Sequence, residues 1–271
     1  MLKGKTFIIT GASRGIGKAI ALKLAVHGAN IVVASKSVTE DPRLGGTIYS
    51  AAQEIEEAGG KALPVACDIR FEDQIVQVVT RAAEVFGGID GLVNNASAIC
   101  LTNTEQTETK RFDLMHDINV RGTFLMTRHC IPFLRESSNP HILTLSPPLN
   151  ITTQWLKLSV AYSISKFNMS MMTLGWAEEF RSFGIAANAL WPVTTIATAA
   201  VQNLLGGASM AARSRKPEIM ADAAHYILTQ PSRSFTGQLL LDEQVLKMMG
   251  ITDLTGYAVT PGVELQKDLF V

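Results

Sequence analysis

Short apolar runs rich in β-branched residues recur along the chain, and longer stretches with apolar positions at spacings of three and four lie between them. The runs are Phe7 to Thr10, Ile31 to Ala34, Ala62 to Ala66, Gly91 to Asn94, Ile142 to Ser146, Ala186 to Leu190 and Leu239 to Asp242. Apolar runs without alternation mark strands buried on both faces, as in a parallel sheet. The stretches between them predict helices over Ile16 to Val26, Thr47 to Ala58, Phe71 to Phe86, Glu105 to Leu134, Ala161 to Phe183 and Pro217 to Leu228. Gly28, Gly59 and Gly87 follow three of these, where a helix end favours a left-handed residue. The alternation predicts an α/β fold in three layers, a doubly wound seven-stranded parallel sheet with helices on both faces.

Two segments break this rhythm. Residues 35 to 46 are polar, with Pro42, Gly45 and Gly46, and residues 193 to 216 predict a mobile, largely helical substrate loop. No repeat or Pro/Ser-rich linker divides the chain, so residues 1–271 are expected to form one domain, with a tail from about 243 too short for a second.

Composition narrows the class. Apolar residues make up 47% and charged residues 18%, which suits a globular chain able to bury a core without staples. The 24 Lys plus Arg balance 24 Asp plus Glu, and the basic surplus of a nucleic-acid binder is missing. A surface with so little net charge also offers little repulsion against self-association. Cys67, Cys100 and Cys130 form no CxxC pair and have no His at zinc-ligand spacing, so structural thiols in a reducing compartment and no metal are expected. No apolar run approaches the ~20 residues needed to cross a bilayer. A strand pattern begins at Thr6, and Asp268 Leu269 Phe270 Val271 matches no peroxisomal or lipidation signal, so a cytoplasmic address is expected.

The first chemistry lies between the first strand and the first helix, in Thr10 Gly11 Ala12 Ser13 Arg14 Gly15 Ile16 Gly17. Glycines at 11, 15 and 17 permit a tight turn, let backbone N–H groups approach a pyrophosphate and let the helix start close to the sheet. The helix N-terminus adds partial positive charge for the phosphates. With its flanking strand and helix, this turn predicts a Rossmann-type dinucleotide site. An acidic residue at the end of the second strand would select NAD, whereas this chain reads Ala34 Ser35 Lys36 Ser37. Lys36 and Arg14 therefore favour NADP(H) over NAD(H) if they reach a 2′-phosphate, and are solvated surface charges if they do not. Asp68, after the third strand, either accepts from an adenine amino group or caps the helix from Phe71.

The second chemistry is Tyr162 and Lys166, four apart in a helical pattern and so on one face, with Ser146 at the end of the fifth strand. Hydride addition to a carbonyl leaves charge on oxygen that a proton must match. A free tyrosine is too weak an acid for this near neutrality, and a neighbouring ammonium is expected to lower its pKa. Tyr162 is the predicted acid/base, Lys166 its field and a holder of the nicotinamide ribose, and Ser146 the donor that orients the substrate oxygen.

Together these residues resemble the short-chain dehydrogenase/reductase family over about residues 5 to 242. Thr10 to Gly17 is similar to its TGxxxGxG turn, Asn94 Asn95 Ala96 Ser97 to its NNAG motif with Ser for Gly, and Ser146, Tyr162 and Lys166 to its triad. The resemblance implies that Asn119 holds a water beside the lysine and extends a proton relay, that Asn94 steadies the sheet, and that Ala96 lies along the cofactor ribose. It also implies cofactor contacts from Ile69, Asn95, Ser97, Pro192, Thr195 and Ile196, and a homodimer or homotetramer built on the helices from Glu105 and Ala161. Three departures stand out: Ser146 and Tyr162 lie farther apart than is common in the family, with Pro147 and Pro148 stiffening the loop between them, Pro192 is followed by Val193 where the family has glycine, and Ser37 to Gly46 is an insertion beside the adenosine end.

The substrate is expected between residues 147 to 158 and 193 to 216, where Leu149, Ile151, Trp155, Leu156, Trp191, Val201, Leu204 and Leu205 are apolar. These residues either line a pocket for a hydrophobic carbonyl or alcohol, lipid-derived or steroid-like, or pack the loops on the core. Met169, Met171 and Met172 read as core or subunit-interface residues. The function that follows is an NADP(H)-dependent oxidoreductase acting on CH–OH groups. A catalytically weak dinucleotide-binding sensor or scaffold is the alternative, and an NAD-linked epimerase or dehydratase would need a long substrate segment.

Overall fold

In the computed structural model, which describes residues 2–271, seven strands form one parallel sheet in the order β3-β2-β1-β4-β5-β6-β7. They are β1 (Thr6–Thr10), β2 (Asn30–Ser35), β3 (Lys61–Ala66), β4 (Gly91–Asn94), β5 (His141–Thr144), β6 (Ala186–Trp191) and β7 (Leu239–Leu241). Every residue of β1, β2, β4, β5 and β6 is buried, which is why their sequences run apolar without alternation.

One face is covered by α1 (Gly15–Val26), α2 (Ile48–Glu57), α9 (Glu218–Thr229) and α10 (Asp242–Met248), the other by α3 (Glu72–Phe86), α5 (Thr123–Leu134) and α7 (Val160–Glu179). Thr47 caps α2, its hydroxyl accepting from the Ser50 N–H while the Ser50 hydroxyl accepts from the Thr47 N–H. The chain leaves β1 for β2 on one side and returns to β4 on the other. That reversal opens a crevice at the carboxyl ends of β1 and β4, where ligands of such sheets bind.

The structure departs from the sequence expectation in five places. The long helix expected from Glu105 starts as α4 (Thr109–Met115) and passes through a π turn at His116–Gly122 before α5. Inside that turn Asn119 is clasped to a neighbouring loop, and a Cβ on Gly122 would stand 2.8 Å from the Ile69 side chain. The helix expected to run to Phe183 ends at Glu179, and a 3₁₀ turn, Arg181–Phe183, closes on Gly184 at φ 71°. Ser146 lies beyond the last residue of β5, in the following loop. Asp242 starts α10 instead of ending β7, because its carboxylate accepts the Val193 N–H at 3.0 Å and its neighbour's at 2.7 Å. The stretch 147 to 158 contains an unforeseen helix, α6 (Thr153–Leu158). Residues 193 to 216 are largely helical as expected, with a π turn at Val201–Leu205 and α8 (Gly207–Ala212).

Beyond α10 the chain turns back over the end of β6. Lys267 bridges Thr194 in antiparallel fashion, Ala258 bridges Arg215, and the Thr195 N–H donates to the Gln266 carbonyl at 2.9 Å. The tail is thereby pinned to the loop that follows β6.

Candidate active site

At the end of β1, Gly11 and Gly15 have φ of 68° and 59°, values that a side chain would strain. The turn is braced from β4. The Thr10 hydroxyl accepts the backbone N–H groups of Asn95 and Ala96, both at 3.0 Å, and Asn95 Nδ2 donates to the Thr10 and Gly11 carbonyls at 2.8 and 3.2 Å. Gly17 sits under this brace, where a Cβ would come within 2.4 Å of Asn95 Nδ2. The glycine is needed for close packing of helix on turn. Gly11, Ser13, Arg14, Gly15, Ile16, Lys36, Asp68, Ile69, Asn95, Ala96 and Ser97 all border one cavity. Lys36 is exposed at its edge, whereas Arg14 is partly committed: its Nη2 donates to Ser37 Oγ at 2.8 Å and to the Gly46 carbonyl at 2.9 Å, tying the 37–46 insertion to the turn. Asp68 caps no helix. Arg70 grips its carboxylate at 2.6 to 3.0 Å and holds it below the usual carboxylate range.

A second cavity adjoins the first, sharing Ile16 and Thr198, and is bordered by Tyr162, Leu145, Trp191, Pro192, Thr195 and Ile196. Ser159 starts α7 and its hydroxyl faces the Tyr162 N–H, so the tyrosine enters in the first turn and Lys166 one turn later. Ser146 Oγ is buried and has no partner among the described residues. An unpaired buried hydroxyl costs about 1–3 kcal/mol, a cost retained where a ligand atom completes the bond. Lys166 Nζ donates to the Leu145 carbonyl at 2.7 Å and lies 5.0 Å from the centre of the Trp191 ring. Burial pushes Lys166 down to about 7, with the Asp268 carboxylate acting against it. Burial pushes Tyr162 well above the usual phenol value, and Asp268 adds to the rise. The expected lowering of Tyr162 by the ammonium is absent from this geometry, where desolvation of the phenolate dominates and the charge acting on it is the Asp268 carboxylate.

Asn119 is held by three side-chain hydrogen bonds. Its side chain accepts the Ala98 N–H at 2.8 Å and donates to the Ala98 carbonyl at 2.9 Å and to Ser165 Oγ at 3.0 Å. Those bonds engage its oxygen once and both amide protons, so the side chain clamps the loop after β4 to α7. Asn94 steadies the sheet as expected, donating to Thr127 Oγ1 at 3.0 Å.

A family model described as short chain dehydrogenase matches residues 5–206. The chain belongs to the short chain dehydrogenase family. Hydroxysteroid dehydrogenase-like protein 2 of Rattus norvegicus is 58% identical over 270 residues, covering 100% of this chain and 51% of that protein. The protein of the same name from Danio rerio is also 58% identical, with 64% of its length covered. The chain thus spans about half to two thirds of the length of these curated relatives. A crystal structure of a short chain dehydrogenase from Mycobacterium thermoresistibile aligns with a TM-score of 0.95 at 54% identity, over 100% of this chain and 96% of that one.

As a short-chain dehydrogenase, a family of oxidoreductases that bind NAD(H) or NADP(H), the protein carries a tail that the sequence left without a role. Gln266, Lys267, Asp268 and Leu269 border the cavity that holds Tyr162. Phe270, buried at φ 71°, packs its ring 6.2 Å from Tyr162, 5.1 Å from Phe167, and about as far from Trp155 and Trp191. Of the apolar residues expected to line the pocket, Trp191 and Val201 do so. Leu149, Trp155 and Leu156 pack in the cluster around Phe270, and Ile151 is exposed. The side chains of Leu204 and Leu205 lie outside the described residues. Ile99, Leu101, Met210 and Met220 line the cavity without having been foreseen, because no local pattern separates them from ordinary core positions.

Proposed function

We propose that the protein is an NADP(H)-dependent short-chain dehydrogenase/reductase that interconverts a carbonyl and an alcohol on a hydrophobic, lipid- or steroid-like substrate, with Tyr162 as acid/base. What carries this reading is the junction of two cavities: a glycine turn borders one, and the adjoining chamber is lined by a buried tyrosine and by Leu145, whose neighbour Ser146 keeps a buried, unpaired hydroxyl. The cradle fits a dinucleotide, since Gly11 and Gly15, both at positive φ, border the cavity with their backbone, and Gly17 lets the helix start close under the turn. Bound there, the nicotinamide supplies the hydride.

The chain's own residues do the rest. Gly11, Ser13, Arg14, Gly15 and Ile16 would hold the phosphates and Lys36 the 2′-phosphate. Asp68, Ile69, Asn95, Ala96 and Ser97 would flank the adenosine and ribose, and Pro192, Thr195 and Ile196 the nicotinamide end. Ser146 Oγ donates to the substrate oxygen and fixes it, and Tyr162, neutral in its buried setting, passes that oxygen its proton. Lys166 positions the ribose, and Asn119 ties α7, through Ser165, to the loop after β4, through Ala98. A neutral tyrosine is the form that carbonyl reduction requires. Turnover of apolar ketones by purified protein with NADPH tests the reading; tight NADPH binding without turnover of any of them would favour the dinucleotide sensor instead.

Lys36→Ala is expected to weaken NADPH binding about tenfold while NADH binding stays within about twofold, because one charge-assisted bond to a phosphate is lost. Equal losses for both dinucleotides, measured by fluorescence titration, would place Lys36 off the 2′-phosphate. Exposed Phe124, Ile164, Met171 and Leu174 on α5 and α7 suit the faces of a homodimer or homotetramer. The three free thiols suit a cytoplasmic, reducing setting.

A further inference from the structure

The catalytic cavity has an acid in its wall. Among the described residues that border it, only Lys267 and Asp268 carry a full charge, and Lys267 is exposed. Asp268 is held firmly: its N–H donates to the Val193 carbonyl at 3.0 Å, and its Oδ1 accepts the Leu269 N–H at 2.6 Å. On the other side of Val193, the N–H donates to Asp242 at 3.0 Å. The Asp242 carboxylate and the Asp268 backbone N–H thus hold from two sides the residue that stands where the family has glycine. Leu269 is fixed in turn by Trp191, whose Nε1 donates to its carbonyl at 2.9 Å, and Phe270 is locked in the aromatic cluster. Among the described residues Asp268 Oδ2 takes no hydrogen bond. A rigid acceptor therefore faces a chamber otherwise lined mostly by hydrocarbon.

We propose that Asp268 sets the substrate class of this site, accepting a hydrogen bond from a hydroxyl or amino group carried near the reacting carbonyl and excluding substrates that bear a free carboxylate there. This rests on the reading of the apolar cavity as the substrate site. A fixed carboxylate in a water-poor cavity favours a donor strongly and repels a like charge. The groups that face it are Lys166 from α7 and Asp242 from α10, with Arg215 beyond Asp242 and Lys267 adjacent in the chain. Burial, with Asp242 adding to it, raises Asp268 to about 6 against the pull of the Leu269 N–H and of Lys166.

The test uses cyclohexanone, 3-hydroxycyclohexanone and 3-oxocyclohexane-1-carboxylate, titrated by ligand-observed NMR onto the protein with NADP(H), at about pH 8 where Asp268 is charged. The hydroxy ketone is expected to bind about tenfold tighter than the keto acid. Asp268→Asn, which keeps an oxygen for the Leu269 N–H, should erase most of that preference by improving the keto acid. Lowering the wild-type pH through 6 should do the same without any substitution. A keto acid that binds as well as the hydroxy ketone, held by Lys267, overturns the proposal, as does a ratio unchanged both in Asp268→Asn and at low pH. Failure of all three ketones to bind overturns it together with the pocket assignment. Binding in the expected order with no oxidation of NADPH would sustain Asp268 as the selector and sink the reductase reading instead.

Discussion

Tyr162→Phe is expected to cut turnover of a carbonyl substrate by about 10²- to 10⁴-fold while NADPH affinity stays within a few-fold. In the proposed mechanism the Tyr162 hydroxyl gives the proton to the substrate oxygen, and water does not replace it easily in a cavity lined mostly by apolar side chains. The fold should not register the change. Among the described residues the hydrogen bonds of Tyr162 run through its backbone, to Ser159 and Ser165, and its ring keeps its contact with Phe270. Stopped-flow turnover alongside a dinucleotide titration separates the two quantities. Residual activity near wild type would remove Tyr162 from proton transfer, and loss of NADPH binding would make it a cofactor ligand first.

The second large effect is one of stability. Phe270→Ala removes a ring that is 2% exposed and touches three other aromatic side chains and Tyr162. Truncating a buried phenylalanine costs about 3–5 kcal/mol, through lost transfer energy and the cavity left behind. For a chain of this size that lowers the melting temperature by roughly 10 °C. The loss is local in origin, since Phe270 anchors the strap carrying Asp268 and Leu269 along the wall of the cavity. Hydrogen exchange should quicken at Asp268 and at Thr195, whose N–H bonds to the Val193 and Gln266 carbonyls close the strap on the loop after β6. A melting temperature within about 2 °C of wild type, with exchange at those amides unchanged, would show that the strap holds without its aromatic pin.

Much of the molecule was legible in the order of its residues, and the reason is local. Strands buried on both faces announce themselves as unbroken apolar runs, helices by their spacing, and the dinucleotide turn by glycines, two of which prove to have positive φ and the third no room for a Cβ. The pairing of Tyr162 with Lys166 is likewise a matter of helical geometry, since four residues make about one turn. These signals depend on neighbours in the chain, so the sheet and the residues around the glycine turn could be read from it.

Other features depended on contacts between distant segments. The π turn at Asn119 exists because that side chain meets Ala98, and the role of the tail is set by Val193, Trp191 and the aromatic cluster, each tens of residues away. Nothing around Asp268 or Phe270 in the sequence marks either as lining or pinning a cavity. The proton affinity of Tyr162 was misread for the same reason: spacing brings Lys166 near, but only the packed structure shows how much water the phenol has lost and that a carboxylate shares its cavity. Sequence by itself determined the elements and the chemistry they carry, because propensity and periodicity act over a few residues. Desolvation and long-range packing decided the charge states and the walls of the site, because both are properties of the assembled volume.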